Sequence, residues 1–234
     1  LLLRNLFSYN CIRVHCYCDS EHEYNYMKIS YAITVCNEFV EIQKLIPFLL
    51  KHKRFEDEIV VLYDSKNGSK SIEQFLRAKS VNGEFSWHGG EFDGHFANWK
   101  NKLTDLCSGD WIFQIDADEI PNEMLIENLH EILTMNQVVV DVVLVPRVNT
   151  VEGLTDEHIK KWGWNVDDKG WVNWPDFQYR LYKKSPDIRW KNKVHEVLEG
   201  YKTISHLPID EDLALYHPKQ IDRQVKQNEY YETL

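Results

Sequence analysis

Asp116-Ala117-Asp118-Glu119 sets three carboxylates within four residues. Carboxylates this close repel one another unless a cation neutralises them, and a divalent ion with oxygen ligands does so. The preceding Trp111-Ile112-Phe113-Gln114-Ile115 is mostly apolar and reads as a buried strand of a parallel sheet. Open α/β sheets bind ligands beyond the carboxyl ends of their strands, which is where these acids fall. Pro121 reads as the opening of the next helix. A plainer reading stands beside the chemical one: acids gathered at a helix N-terminus, favoured there by its dipole.

The elements that must hold these acids follow from periodicity. Residues 28–35 read as a strand, and Cys36-Asn37-Glu38 turns into a helix. Its Ile42, Leu45, Ile46, Leu49 and Leu50 share one face. Pro47 should kink that helix or mark a late start. A second strand at 58–63 ends at Asp64, with a turn over 65–69. A helix over 71–79, a short strand at 85–87 and a bend with Gly89, Gly90 and Gly94 come next. A helix over 95–107, stopped by Gly109, leads to the acidic strand. A helix over 121–133 and an apolar strand over 138–145 complete a regular β-α alternation, the pattern of a layered α/β sheet.

The character changes after Thr150. Trp162, Trp164, Trp171 and Trp174 lie among polar residues. Residues 177–184 and 188–197 read as antiparallel strands around the turn Ser185-Pro186-Asp187. A short strand at 213–216 ends at His217-Pro218, and 221–231 reads as a charged helix.

At 234 residues, 43% hydrophobic and 13% aromatic, the chain can bury a sizeable core. A net charge of −10 excludes a phosphate-backbone partner such as nucleic acid, although a divalent ion can mediate contact with a phosphorylated ligand. No apolar run approaches the ~20 residues of a membrane span, so a cytoplasmic protein with reduced cysteines is expected. Cys11, Cys16 and Cys18 precede Met27, and their spacing matches no familiar zinc pattern. Residues 1–26 are expected to lie outside the core fold, which begins at Met27 and forms one domain over 27–234.

Four motifs, taken in order, resemble family 2 glycosyltransferases of the GT-A fold, the small bacterial and viral enzymes of lipopolysaccharide-core type in particular. They are Ile33-Thr34-Val35-Cys36-Asn37-Glu38, Asp57–Ser65, the run from Phe96 through Lys100-Asn101 to Asp116-Ala117-Asp118-Glu119, and Arg180-Leu181-Tyr182-Lys183 with Val194-His195-Glu196. The resemblance implies an α/β, mostly parallel sheet flanked by helices, with a small antiparallel acceptor-side segment. It implies an inverting, metal-dependent transfer of a sugar from a nucleotide-diphosphate donor to a glycan or lipid-linked saccharide. Residues 28–120 would hold the donor and 121–218 the acceptor, and 219–234 would form a terminal helix.

In the implied site Asp118 ligates Mn²⁺ or Mg²⁺. Asp116 reaches the metal's water shell or the donor ribose, and His217 is a third ligand. Thr34, Glu38 and Asp64 line the nucleoside pocket, with Asp64 accepting from the base. Lys100 and Asn101 face the diphosphate, Lys100 standing where an arginine is usual and lacking its bidentate fork. Glu119 is read as a helix N-terminal acid. Glu196, with His195 positioning it or binding the diphosphate, or else Asp176, takes the acceptor proton. The tryptophans stack on sugars or build an accessory core. Two other readings remain: a nucleotidyltransferase, which would carry a Gly-rich basic loop where Cys36-Asn37-Glu38 stands, and a non-catalytic carbohydrate-binding protein on the same fold.

Overall fold

Strand β1 (Ile29–Val35) shows why the sheet is central: Ile29, Tyr31, Ile33 and Val35 pack into one apolar cluster and Ala32 into another. A strand buried on both faces must lie inside a sheet covered on both sides. The computed structural model describes residues 27–136 and 139–231. The expectations for 1–26, the early cysteines included, therefore fall outside the described residues, as does the start of the strand expected at 138.

β1 pairs in parallel with β2 (Glu58–Asp64) and with β4 (Trp111–Asp116), and β2 pairs in parallel with β3 (Ser86–Gly90). Beyond β4 lie β8 (Gln178–Lys183), β6 (Val142–Val145) and β11 (Ile204–His206). The order is β11-β6-β8-β4-β1-β2-β3, with β8 antiparallel to both neighbours. Helices α1 (Phe39–His52), α2 (Lys70–Lys79) and α4 (Glu123–Asn136) cover one face, and α3 (Phe96–Leu106) covers the other. The α/β, mostly parallel fold is the one expected.

Several local expectations are corrected. α1 runs from Phe39 through Pro47 to His52, so the proline does not mark a late start, and it sits on the exposed side of the helix. Pro121 does not open α4. It belongs to β5 (Ile120–Pro121), which pairs with β12 (Leu215–Gln220), and Asn122 Oδ1 accepts the Met124 N–H at 2.9 Å at the true helix start. β12 also runs parallel to β7 (Arg147–Glu152), so a second small sheet stands beside the acidic turn.

The expected hairpin around Ser185-Pro186-Asp187 does not form. Leu181 and Tyr182 are buried on opposite faces, so β8 is drawn into the main sheet. β9 (Arg189–Lys191) instead pairs with β10 (Val197–Glu199). Their hairpin turns at Asn192 and His195, both in the left-handed region at φ 75° and 53°. Helix α5 (Asp156–Trp162), capped by Thr155, was not foreseen. Helix α6 (Ile221–Tyr231) follows β12 directly. Among the described residues no helix is long and apolar enough to cross a membrane.

Candidate active site

A cleft of about 910 Å³ opens over the carboxyl ends of β1 and β4. β7, β8 and β12 wall it on one side, with α6 and the β9–β10 hairpin at its rim. Asp116 and Asp118 both reach it, but their partners differ. Asp116 accepts from Arg180 NH2 at 2.6 Å and from Thr34 Oγ1 at 3.4 Å. Burial pushes its carboxyl up, but Arg180 and Lys100 outweigh that and hold it at about 2. Asp118 Oδ2 lies 3.4 Å from His217 Nε2 and 3.4 Å from Arg223. Burial opposes ionisation there too, and His217, Lys219 and Arg223 together hold the carboxyl far below the usual range.

Glu119 is not a helix-start acid. It is fully buried, accepts the Asp116 N–H, and is clamped by Arg180 at 2.6 Å and Arg147 at 2.9 Å. Arg147 also holds Asp176, which takes further hydrogen bonds from Asn149 at 2.8 Å and Gln178 at 2.7 Å. Asn149 Oδ1 contacts His217 Nδ1 at 2.8 Å. An unbroken polar chain thus runs Asp116–Arg180–Glu119–Arg147–Asp176–Asn149–His217–Asp118. Charges paired this way are stable only as a set, because removing one partner leaves a buried charge exposed to a low dielectric.

The remaining expected residues divide. Lys100, on α3, pairs with Glu196 at 2.7 Å and lies 4.6 Å over the Trp190 ring. Glu196 and His195 come from the hairpin tip and line the cleft with it. Glu38 accepts the N–H groups of Cys36 and Asn37 and meets Arg223 at 3.1 Å. Asp64 is 2% exposed, and its oxygens are taken by backbone N–H groups of Lys66, Asn67 and Phe92 and by the Asn67 side chain. The backbone donors all meet Oδ1, so Asp64 shapes its turn, while Oδ2 takes one amide N–H and faces the cleft. Asn101 does not reach the cleft: both ends of its amide fasten the Trp190 backbone at 2.9 Å. The Cys36 thiol, half-buried beside Asp64 and Glu38, is pushed up to about 12 by desolvation and by these carboxylates, and stays protonated. The tryptophans are half-buried; Trp162 packs on Trp164, which lines the cleft, and Trp171 on Trp174.

Asp118 and His217 present an ionised oxygen and a ring nitrogen close enough to share one divalent ion, a mixed oxygen and nitrogen donor set. Asp116 is turned to Arg180 and does not complete a tight three-ligand cluster with them. Among the described residues the trio that does is His52, Glu123 and Glu127, none of which lines the cleft. Arg147, Asn149, Lys219 and Arg223 were not singled out from the sequence. Each is a lone polar residue whose partners lie in other elements.

Fold and cleft together define an α/β protein with an acidic, cation-ringed ligand site at its strand ends. The Glycosyl transferase family 2 model matches residues 30–211. The chain belongs to that family, and its fold is GT-A. Solved structures of S. aureus TarS share it. TarS 1–349 has a TM-score of 0.57 at 18% identity, over 82% of this chain and 60% of that one. The same piece in complex with UDP-GlcNAc gives 0.56 at 16%, over 82% and 59%. The longer TarS structure gives 0.56 at 17%, over 82% and 37%. This chain thus spans about 60% of the TarS 1–349 chain. No curated protein matches it.

Proposed function

We propose that the chain is an inverting glycosyltransferase that moves a sugar from a nucleoside-diphosphate donor to a hydroxyl of a glycan or lipid-linked saccharide. The observation that carries this reading is the pairing of Asp118 with His217 at the carboxyl end of β4, beside Glu196 in one cleft. A UDP-sugar is the first donor to test, because a TarS structure holds UDP-GlcNAc. Asp118 and His217 would hold a divalent ion, Mn²⁺ before Mg²⁺ because of the imidazole, and the ion would add electrostatic stabilisation of the leaving diphosphate.

The acceptor oxygen attacks the anomeric carbon from the face opposite the diphosphate. Its bond forms as the carbon–oxygen bond to the diphosphate breaks, and Glu196 takes the hydroxyl proton. Lys100 aims the Glu196 carboxylate through their 2.7 Å pair. Asp176 suits the base role poorly, since Arg147, Asn149 and Gln178 already occupy its oxygens. Asp116 and Thr34, which meet at the carboxyl ends of β4 and β1, would face the donor ribose.

Turnover and donor affinity of three variants test the assignment. Glu196→Gln should lower kcat by roughly 10²–10⁴-fold with little change in donor Kd. Asp118→Asn should abolish metal-dependent nucleotide affinity. Asp176→Asn should mainly lower the melting temperature, because it breaks the Arg147 clamp. A nearly fully active Glu196→Gln beside an inactive but stable Asp176→Asn would transfer the base role to Asp176.

A further inference from the structure

The cleft holds more positive charge than the sequence's acidic balance leads one to expect, and most of it is already paired. Arg180 is bound to Asp116 and Glu119, Arg147 to Glu119 and Asp176, and Lys100 to Glu196. The β12–α6 segment is different. His217, Lys219, Arg223 and Lys226 come from it and line the same cleft. His217 and Arg223 both approach Asp118, each at 3.4 Å. A well-made charge-assisted hydrogen bond is ~2.7–2.9 Å, so neither contact is closed, and a stronger ligand can displace it.

Arg223 is arranged for such an exchange. Its NH1 is anchored to Glu41 at 2.9 Å, while NH2 reaches Glu38 at 3.1 Å and Asp118 at 3.4 Å. Its side chain is 37% exposed. A small rotation about the NH1 anchor frees NH2 for another oxygen without undocking α6. Lys219 is half-buried in the cleft wall, held to the Gln227 side chain. A half-buried ammonium held by a neutral amide oxygen gains from an anionic one.

We propose that Lys219 and Arg223 bind the donor diphosphate directly, Arg223 moving its NH2 from Asp118 to a phosphate oxygen when the donor enters. The move releases Asp118 for the metal ion while it adds a cation to the leaving group. Donor binding and metal binding then support each other, and side-chain cations neutralise part of the departing charge. The inference rests on the nucleotide-diphosphate reading of the cleft and adds residues to it. If Arg223 only fastened α6 to α1, its loss would lower the melting temperature and weaken nucleoside and nucleoside diphosphate equally.

The test is calorimetric titration of the whole chain with UDP, GDP, ADP, dTDP and their nucleosides, in Mn²⁺ and in excess EDTA. Wild type, Lys219→Gln, Arg223→Gln and Arg223→Lys are compared, with a thermal melt of each to check folding. Losing one charge-assisted phosphate contact should weaken diphosphate binding about tenfold or more. Nucleoside affinity should be unchanged, and Arg223→Lys should recover part of the loss. In EDTA wild type should retain measurable diphosphate binding that both glutamine variants lose. Diphosphate binding that is unchanged in folded variants, or reduced in step with the nucleoside, overturns the inference and leaves the donor reading intact. Wild type that binds none of the four diphosphates in Mn²⁺ overturns the donor reading and this inference with it.

Discussion

Asp116 and Asp118 are two residues apart and face the same cleft, yet one is locked to an arginine and the other is held by loose contacts. That difference leaves the Asp118 carboxylate more open to exchange than that of Asp116. Glu58 shows the purely structural case. Burial pushes its carboxyl up, but hydrogen bonds from Lys28, Ser30 and Ser108 outweigh this and bring it down to about 2. A carboxyl depressed on folding stabilises above its unfolded pKa, and that stability is lost as pH falls through the folded value. Between about pH 4.5 and 2, Glu58 should therefore account for on the order of 3 kcal/mol of lost stability. Urea melts across that range should show a shallower pH slope for Glu58→Gln than for wild type. Gln114 is the opposite case: fully buried in β4, it finds no hydrogen-bond partner for either amide atom among the described residues. An unsatisfied buried amide costs ~1–3 kcal/mol, so Gln114→Met should raise the melting temperature. A fall would mean that the amide is satisfied in solution.

At the scale of elements, legibility followed sequence distance. β1, β2, β4 and α1 were readable because an apolar run or a helical face is a local pattern. The acidic turn was readable for the same reason. The central place of β8 was not, since 177–184 looks like any hairpin strand until its two faces are known to be covered. Nor was the clamp on Glu119, whose arginines come from β7 and β8, 28 and 61 residues away. Asp64 was placed at the right strand end, but the turn donors that hold its Oδ1 could not be read from the sequence. The β9–β10 hairpin carries the most consequence. Asn192 at φ 75° and His195 at φ 53° turn the chain so that Glu196 meets Lys100. A β-branched residue resists that conformation, which asparagine and glycine accept. Asn192→Val should cost about 1–2 kcal/mol and lower kcat through displacement of Glu196, whereas Asn192→Gly should keep kcat near wild type. Equal activity in both variants would show that the hairpin does not set the carboxylate's place.

For the whole molecule, the cleft lies where separate parts of the chain meet. β1 and β4 supply the acids' floor, β7 and β12 the second sheet, α3 and the β9–β10 hairpin the Lys100–Glu196 pair, and α6 the outer cations. A ligand seated there touches elements from both halves of the sequence, so its binding energy should stabilise the whole fold against unfolding. A ligand that binds only the folded state stabilises by RT ln(1 + [L]/Kd), roughly 2.7 kcal/mol at 100 Kd. For a domain of this size each kcal/mol is worth about 2–4 °C. The correct nucleotide sugar at that concentration with Mn²⁺ should therefore raise the melting temperature by about 5–10 °C. The melt should stay a single transition, as residues 27–234 form one domain in the proposed reading. A ligand-shifted first transition followed by an unshifted second would instead divide the chain into a donor-binding unit and an independent acceptor unit. Calorimetry distinguishes the two, since one cooperative unit gives equal calorimetric and van't Hoff enthalpies.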